Sequence, residues 1–269
     1  MMPEILVFIF GTIAGSFLNV CIHRMPLGKS IVWPGSHCPV CEKKIPWYDN
    51  IPFISYIFLK GKCRFCKGKI SPRYIIVELL TAFILVMLFR KYHLSYDFFL
   101  YAIFAFALIV AAFVDIKHRI IPDEISIGGI ILGFILNAIR KFQFKPLSYD
   151  LNPALDSFLG IIIGGGIIYL IGKAFDLVYF KLLKKPPIQG ETESMGGGDV
   201  KLLAMIGAFL GWQKSLLTFF LAPFFGVVIG IINLIVKKEH TVPYGPFLSL
   251  AALVSLFWAD KIMRLLFRL

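Results

Sequence analysis

Eight stretches of apolar residues follow one another along the chain, separated by short polar or basic segments. They are Ile5–Ile22, Tyr74–Phe89, Phe98–Val114, Ile125–Ile139, Phe158–Phe180, Val200–Trp212, Ser215–Val236 and Phe247–Ala259. Several approach or exceed the ~20 residues that a helix needs to cross hydrocarbon. The pattern predicts an all-α polytopic membrane protein with about eight transmembrane helices. Composition agrees: 58% of residues are hydrophobic, mean hydropathy is +0.80, and only 16% are charged. A soluble domain carries roughly 25% charge.

Charge then orients the helices. Basic residues follow the first apolar run, from Arg24 onward, and none precedes it. That run also lacks a small-residue cleavage site and reads as a retained span with its N-terminus outside. With the 23–73 loop in the cytosol, alternation places eighteen Lys and Arg on the cytosolic side and nine outside. Ten of the eighteen lie in the first loop. The net charge of +12 is therefore a topology signal. No recognition motif accompanies it, so a nucleic-acid partner is not expected, and the lipid bilayer is.

The 23–73 loop holds two C-x2-C knuckles, Cys38-Pro-Val-Cys41 and Cys63-Arg-Phe-Cys66. Paired thiolates at this spacing suit tetrahedral zinc. Two disulfides are the competing reading, but a cytosolic loop is kept reduced. Four protein ligands leave no open position, so the ion is structural. A loop of about 50 residues has little core of its own, and a metal cross-link compensates. The apolar stretch Ile51–Leu59 between the knuckles is expected to pack on the membrane surface or on the helices. Taken alone, the loop reads equally as a zinc-stapled cap without chemistry. Cys21 is a small apolar residue of the first span.

Two acidic residues stand at one edge of the apolar runs. Asp115 ends the uncharged run Phe98–Val114, which as a helix is about 25 Å long and nearly spans the ~30 Å hydrocarbon. Asp199 follows Gly196, Gly197 and Gly198 and opens a run of about 20 Å, too short to cross unless the glycine segment is sunk from the cytosolic side. Irregular backbone at that depth must be packed in protein or line a wet cavity. Carboxylates in such places are costly and mark functional sites, although Asp199 also suits a helix cap. Asp123, after Pro122, reads as a cap. If Asp115 and Asp199 meet, only one can ionise cheaply, and the pair can divide acid and base work in amide hydrolysis. Which aspartate is acid and which base stays open.

Taken together these residues resemble the prepilin leader peptidases with attached N-methyltransferase activity, over almost the full chain. Gly15–Pro26 is similar to the family's N-terminal signature, and the paired C-x2-C loop and Arg73-Tyr74 with Glu78–Ala82 follow in place. Asp115 with Ile121-Pro122-Asp123, then Gly196–Leu202, resemble the two catalytic motifs, and Pro243–Phe247 resembles an element before the last helix. Ile75, Cys21 and Met25 depart from the usual residues at their positions. The resemblance implies a catalytic pair, Asp115 and Asp199, in a peptidase bundle over 74–269, after a first helix over 1–22 and a loop over 23–73. It implies zinc on Cys38, Cys41, Cys63 and Cys66. S-adenosylmethionine is implied as methyl donor, with Gly61 and Lys62 matching the stretch tied to methyl transfer. The implied substrates are type IV prepilins or pseudopilins, cut after the glycine of a short basic leader and then N-methylated. The implied location is the bacterial inner membrane, with the active site facing the cytosol.

Two other classes compete on the residues alone. A proton-coupled transporter also buries aspartates, but is usually built from inverted repeats with charges near midplane. A zinc-loop assembly protein explains the cysteines and leaves Asp199 with its glycines unexplained. Glu78 reads equally as a first-turn helix acid or as a substrate or methyl-transfer residue. The glycines of the fifth run read as helix-packing positions. The polar stretch from Pro186 to Ser194 is a candidate entry for a substrate helix.

Overall fold

The computed structural model describes residues 2–140, 152–182, 196–236 and 243–267. The Pro186–Ser194 stretch lies outside them. The described residues are mostly helical, with turns and coil in the loop between the first two long helices, and they include no strand. The helices are α1 (Met2–Arg24), α2 (Ile54–Phe58), α3 (Arg73–Tyr92), α4 (Tyr96–His118), α5 (Asp123–Ile139), α6 (Pro153–Asp176), α7 (Gly197–Leu210), α8 (Trp212–Val236) and α9 (Gly245–Phe267). Every apolar run forms a helix. Four segments, Met2–Leu27, Tyr96–His118, Pro153–Tyr179 and Gly245–Leu265, are long and apolar enough to cross a membrane by length and composition. The protein is therefore a membrane protein, with four spans on this criterion against the eight expected. Four helices fall short: α5 and α7 have 17 and 14 residues, α3 carries Arg73, Glu78, Arg90 and Lys91, and α8 counts only as a shorter apolar helix over Trp212–Val228.

The chain forms two compact units, one up to Val110 and one from Ala111. In the first, α1 and α3 pack antiparallel. Small residues on α1 permit this: a Cβ on Gly11 would stand 2.5 Å from Ala82 Cα, and one on Gly15 would stand 2.6 Å from Glu78 Cα. Close backbone approach of this kind replaces the hydrophobic drive that lipid removes. One turn further, the Asn19 side chain donates to the Tyr74 carbonyl at 3.0 Å. At the other end Arg90 pairs with Glu4 at 2.7 Å.

In the second unit α7 is the hub, buried from Leu202 to Leu210. Gly160 of α6 meets Gly207 of α7 so closely that a Cβ on either would overlap the other's carbonyl. Gly129 and Gly133 of α5 admit Met205 and Phe209. A helix this short ends inside the protein, where its last carbonyls have no water. Asn137 of α5 donates to the Ala208 carbonyl at 2.9 Å, and Ser157 of α6 donates to the same oxygen at 2.7 Å. The chain then reverses at Gly211, whose φ of +80° suits glycine. Trp212 N donates to Asp156 Oδ1 at 3.2 Å, which caps the start of α8.

The start of α7 differs from the expected irregular glycine segment. Gly196 is the extended N-cap and Gly197 and Gly198 already form the first helical turn, closed by Asp199 N donating to the Gly196 carbonyl at 3.0 Å. A Cβ on Gly198 would sit 3.3 Å from Ile121 Cβ, so that glycine serves the approach of the α4–α5 connection.

Candidate active site

Asp115 lies in the last turn of α4 and is 6% exposed. Its Oδ2 accepts the backbone N–H of Gly245 at 2.9 Å. That amide comes from the first residue of α9, after Pro243-Tyr244, and Pro246 follows it. The Tyr244 carbonyl accepts from the Phe247 and Leu248 amides, so the loop is locked as the cap of α9 while its next amide faces Asp115. Asp199 is the third residue of α7, close enough to Asp115 for the two carboxylates to interact electrostatically. The fold thus sets within electrostatic range two aspartates that are 84 positions apart in sequence.

Tyr244 is a third member of this cluster. Burial, and after it the Asp199 charge, push its phenol up to about 12. At neutral pH it is therefore an uncharged O–H within electrostatic range of Asp199. Neither Tyr244 nor Gly245 stands out by charge in the sequence. The available signal is a Pro-Tyr-Gly-Pro turn set directly before an apolar run, where two prolines restrict the backbone.

Asp123 does not cap α5. Pro122 is the N-cap and makes no side-chain bond, and Asp123 is the first helical residue. Its Oδ1 pairs instead with Lys201 Nζ at 2.7 Å, joining the start of α5 to the first turns of α7. Glu78 is also not a first-turn acid, because α3 begins at Arg73. Buried against α1, it accepts the Phe53 amide at 2.7 Å and so holds the loop segment before α2.

The four loop cysteines converge. Their sulfurs all lie within 4.8 Å of one another, and Cys38 Sγ is 3.8 Å from Cys66 Sγ. Tetrahedral Zn–S bonds of about 2.3 Å place sulfurs about 3.8 Å apart, so the donor set fits such an ion. The two knuckles are folded alike. Cys38 N donates to the Lys43 carbonyl at 3.0 Å and Cys63 N to the Gly68 carbonyl at 2.8 Å. The residue after each second cysteine, Glu42 or Lys67, turns back with φ of 56° or 58°. Cys21 stays apart, buried in α1.

Gly61 and Lys62 open the second knuckle. Gly61 has φ +67° and a Cβ there would meet the Tyr56 ring at 3.1 Å. Its N–H is taken by the Tyr56 carbonyl, its C=O by Ile70 N, and the Lys62 N–H by the Leu59 carbonyl. The backbone here shapes the loop and forms no free-amide cradle for a nucleoside cofactor. The exposed Lys62 side chain is the group this pair turns outward.

Two family models match the chain. The Bacterial Peptidase A24 N-terminal domain covers residues 9–92, and the Type IV leader peptidase family covers 102–231. A prepilin leader peptidase/N-methyltransferase of Aeromonas salmonicida (strain A449) is 30% identical, over 96% of this chain and 92% of the relative. The chain belongs to the prepilin leader peptidase/N-methyltransferase family. Membership makes it an enzyme and decides against a transporter or a scaffold. Relatives of the same name include one from Stutzerimonas stutzeri, 31% identical over 94% of this chain and 90% of its own length. Another, from Pseudomonas aeruginosa, is 32% identical over 95% and 90%. No solved structure matches the chain significantly. The leader-peptidase region includes Asp115 and Asp199, whereas the Pro243–Phe247 turn lies beyond its end.

Proposed function

We propose that this leader peptidase is a membrane aspartic endopeptidase in which Asp115 and Asp199 form the catalytic pair. The observation that carries the reading is that the two carboxylates lie within electrostatic range, one of them held by the Gly245 amide. The pair shares one proton. Its ionised member takes a proton from water, whose oxygen attacks the scissile carbonyl carbon, while its protonated member donates to the carbonyl oxygen. Collapse of the resulting diol breaks the C–N bond as a proton passes to the leaving nitrogen. Acid and base roles belong to the pair. The neutral Tyr244 hydroxyl is a donor for the substrate backbone or the developing oxyanion.

The substrates in this reading are type IV prepilins or pseudopilins. The cut falls after the glycine that ends a short basic leader, on the cytosolic face of the bacterial inner membrane. Eight spans with an outside N-terminus accompany it. What supports the orientation is the excess of Lys and Arg on one set of loops.

The second activity methylates the new N-terminus. S-adenosylmethionine, as donor, supplies a methyl group activated on a sulfonium. Gly61 shapes the turn of the methyltransferase-associated loop, and Lys62 offers it a cation. Cys38, Cys41, Cys63 and Cys66 hold a zinc ion that staples this loop and has no position open to substrate.

The test is mass spectrometry of a prepilin peptide incubated with S-adenosylmethionine and the enzyme in nanodiscs. Wild type should yield a product shortened after glycine and heavier by one methyl group. Asp115→Asn and Asp199→Asn should each leave the peptide uncut with the protein folded. Cleavage surviving in either variant refutes the paired mechanism.

A further inference from the structure

The loop between α1 and α3 carries a segment whose level relative to those helices is set by two contacts. Phe53 N donates to Glu78 Oε2 at 2.7 Å. Glu78 is five residues past Arg73, about 7.5 Å along α3. The Phe53 ring reaches further and meets the Phe8 ring edge-on at 6.3 Å between centroids. Phe8 lies beside Val86, which is about 20 Å along α3 from Arg73. The Phe53 ring is therefore roughly 10 Å below the level of Arg73. One leaflet's hydrocarbon is about 15 Å deep.

The residues that follow face outward. Ile54, Ile57 and Phe58 of α2 are 39%, 60% and 83% exposed. Ser55, on the opposite side, is buried and donates to the Tyr48 carbonyl. Ile13 and Phe17 of α1 and Ile76 and Phe83 of α3 are exposed apolar residues as well. Basic residues flank the segment: Lys43, Lys44, Lys60, Lys62, Lys67 and Lys69 are all exposed. The acids of the same loop are Glu42 and Asp49, and Asp49 is bound bidentately by Arg64 at 2.6 Å.

We propose that the Ile51–Phe58 segment enters the leaflet on its own side of the membrane, beside α1 and α3, with lipid acyl chains as its partner and anionic headgroups bound by the flanking lysines. Three features converge on this occupant. The Phe53 contacts place the tip below the helix end, the outward face of α2 is apolar and exposed as parts of α1 and α3 are, and the rim is cationic, as anionic lipid surfaces attract. The loop is thus a re-entrant insertion carrying a cysteine-knuckle head. Its non-helical backbone is tolerated at that depth because Glu78 and the two helices cover it. The proposal does not rest on either catalytic reading.

The unmodified, full-length protein tests it. In nanodiscs containing a phospholipid with a diazirine in its acyl chain, illumination labels residues that touch hydrocarbon. Trypsin releases Ile45–Lys60 as one peptide and the α1 segment ending at Arg24 as another. Acyl adducts on Ile51–Phe58 at a yield comparable to α1 are expected. Adducts on α1 with none on Ile45–Lys60 overturn the insertion. Adding phosphatidylglycerol to phosphatidylcholine discs should raise the yield on Ile45–Lys60 relative to α1, and an unchanged ratio overturns the headgroup contribution. A tryptophan at position 54 (Ile54→Trp) or at 58 (Phe58→Trp), with the native tryptophans replaced by Phe, gives a second readout. Brominated acyl chains should quench it as they quench Ile13→Trp, and equal emission in brominated and ordinary lipid refutes the proposal.

Discussion

Replacing Gly245 with alanine tests the backbone N–H that Asp115 Oδ2 accepts. The added Cβ would stand 2.7 Å from Oδ2, 3.2 Å from Cγ and 3.3 Å from Cβ of Asp115. Carbon–oxygen contacts are comfortable from about 3.3 Å, so the carboxylate or the start of α9 must retreat by roughly 0.6 Å. Asp115 is buried on its helix and the α9 turn is closed by two amides on the Tyr244 carbonyl, so neither side yields freely. The 2.9 Å bond from Gly245 N stretches in either case. A misplacement approaching 1 Å costs about 100-fold in rate. Gly245→Ala should therefore lower kcat for prepilin cleavage by about 10- to 100-fold, or roughly 1.4 to 2.7 kcal/mol of barrier. Gly128→Ala is the control, because a Cβ there meets nothing within 4 Å. Rates come from mass-spectrometric progress curves in nanodiscs, and thermal melting monitors the fold. If Gly245→Ala cuts at the wild-type rate with an unchanged melting temperature, Gly245 does not position Asp115.

Other outcomes follow from the same geometry. Gly160→Ala and Gly207→Ala each force the α6–α7 crossing apart and should destabilise by about 3 kcal/mol, at the upper end for overpacking, read as a lower melting temperature than Gly166→Ala. The Lys201–Asp123 pair is exposed, so Lys201→Met should cost under about 1 kcal/mol of stability. Its effect on cleavage should be restored in part by a charge-swapped Asp123→Lys/Lys201→Asp protein, whereas equal rates in all three would remove the pair from positioning α7. Cys63→Ser should reduce bound zinc from one equivalent toward none by atomic emission. Zinc should also be held less tightly as pH falls, because thiols must lose protons to bind it. Against the Gly68 N–H, burial and neighbouring cysteines push the Cys66 thiol up to about 11, whereas the Cys66 and Phe65 amides bring Cys63 down to about 7. Chelator competition at pH 6 and pH 8 should show weaker zinc binding at pH 6, and equal affinity would contradict thiolate ligation.

The apolar runs, the knuckle spacing and the two acidic motifs are all legible along the chain because each is written in neighbouring residues. A helix needs a continuous apolar stretch, and a C-x2-C knuckle closes on itself, so the helices and the four-sulfur cluster follow from local pattern. Local pattern misled where a helix end depends on something distant. Asp123 was expected to cap its own helix and instead reaches Lys201, while Gly197 and Gly198, expected to be irregular, are helical. Asp115 and Asp199 are separable as candidates by their place at the edges of apolar runs, but no local rule sets the approach of one to the other. That approach comes from α7 being gripped by α5 and α6 through Gly129, Gly133, Gly160 and Gly164.

What the sequence determined by itself is the class of protein: an all-helical membrane enzyme with two motif aspartates and a four-cysteine loop. Only the tertiary structure decided which groups complete the site. It brought the Gly245 amide to Asp115 and Tyr244 within electrostatic range of Asp199, and it set the Phe53 amide on Glu78 and the Phe53 ring on Phe8. The reason is physical. Hydrophobicity and chelate spacing act along the chain and repeat in recognisable patterns, whereas a backbone N–H carries no residue-specific signature. Its partner is set only when packing brings distant segments within about 3 Å.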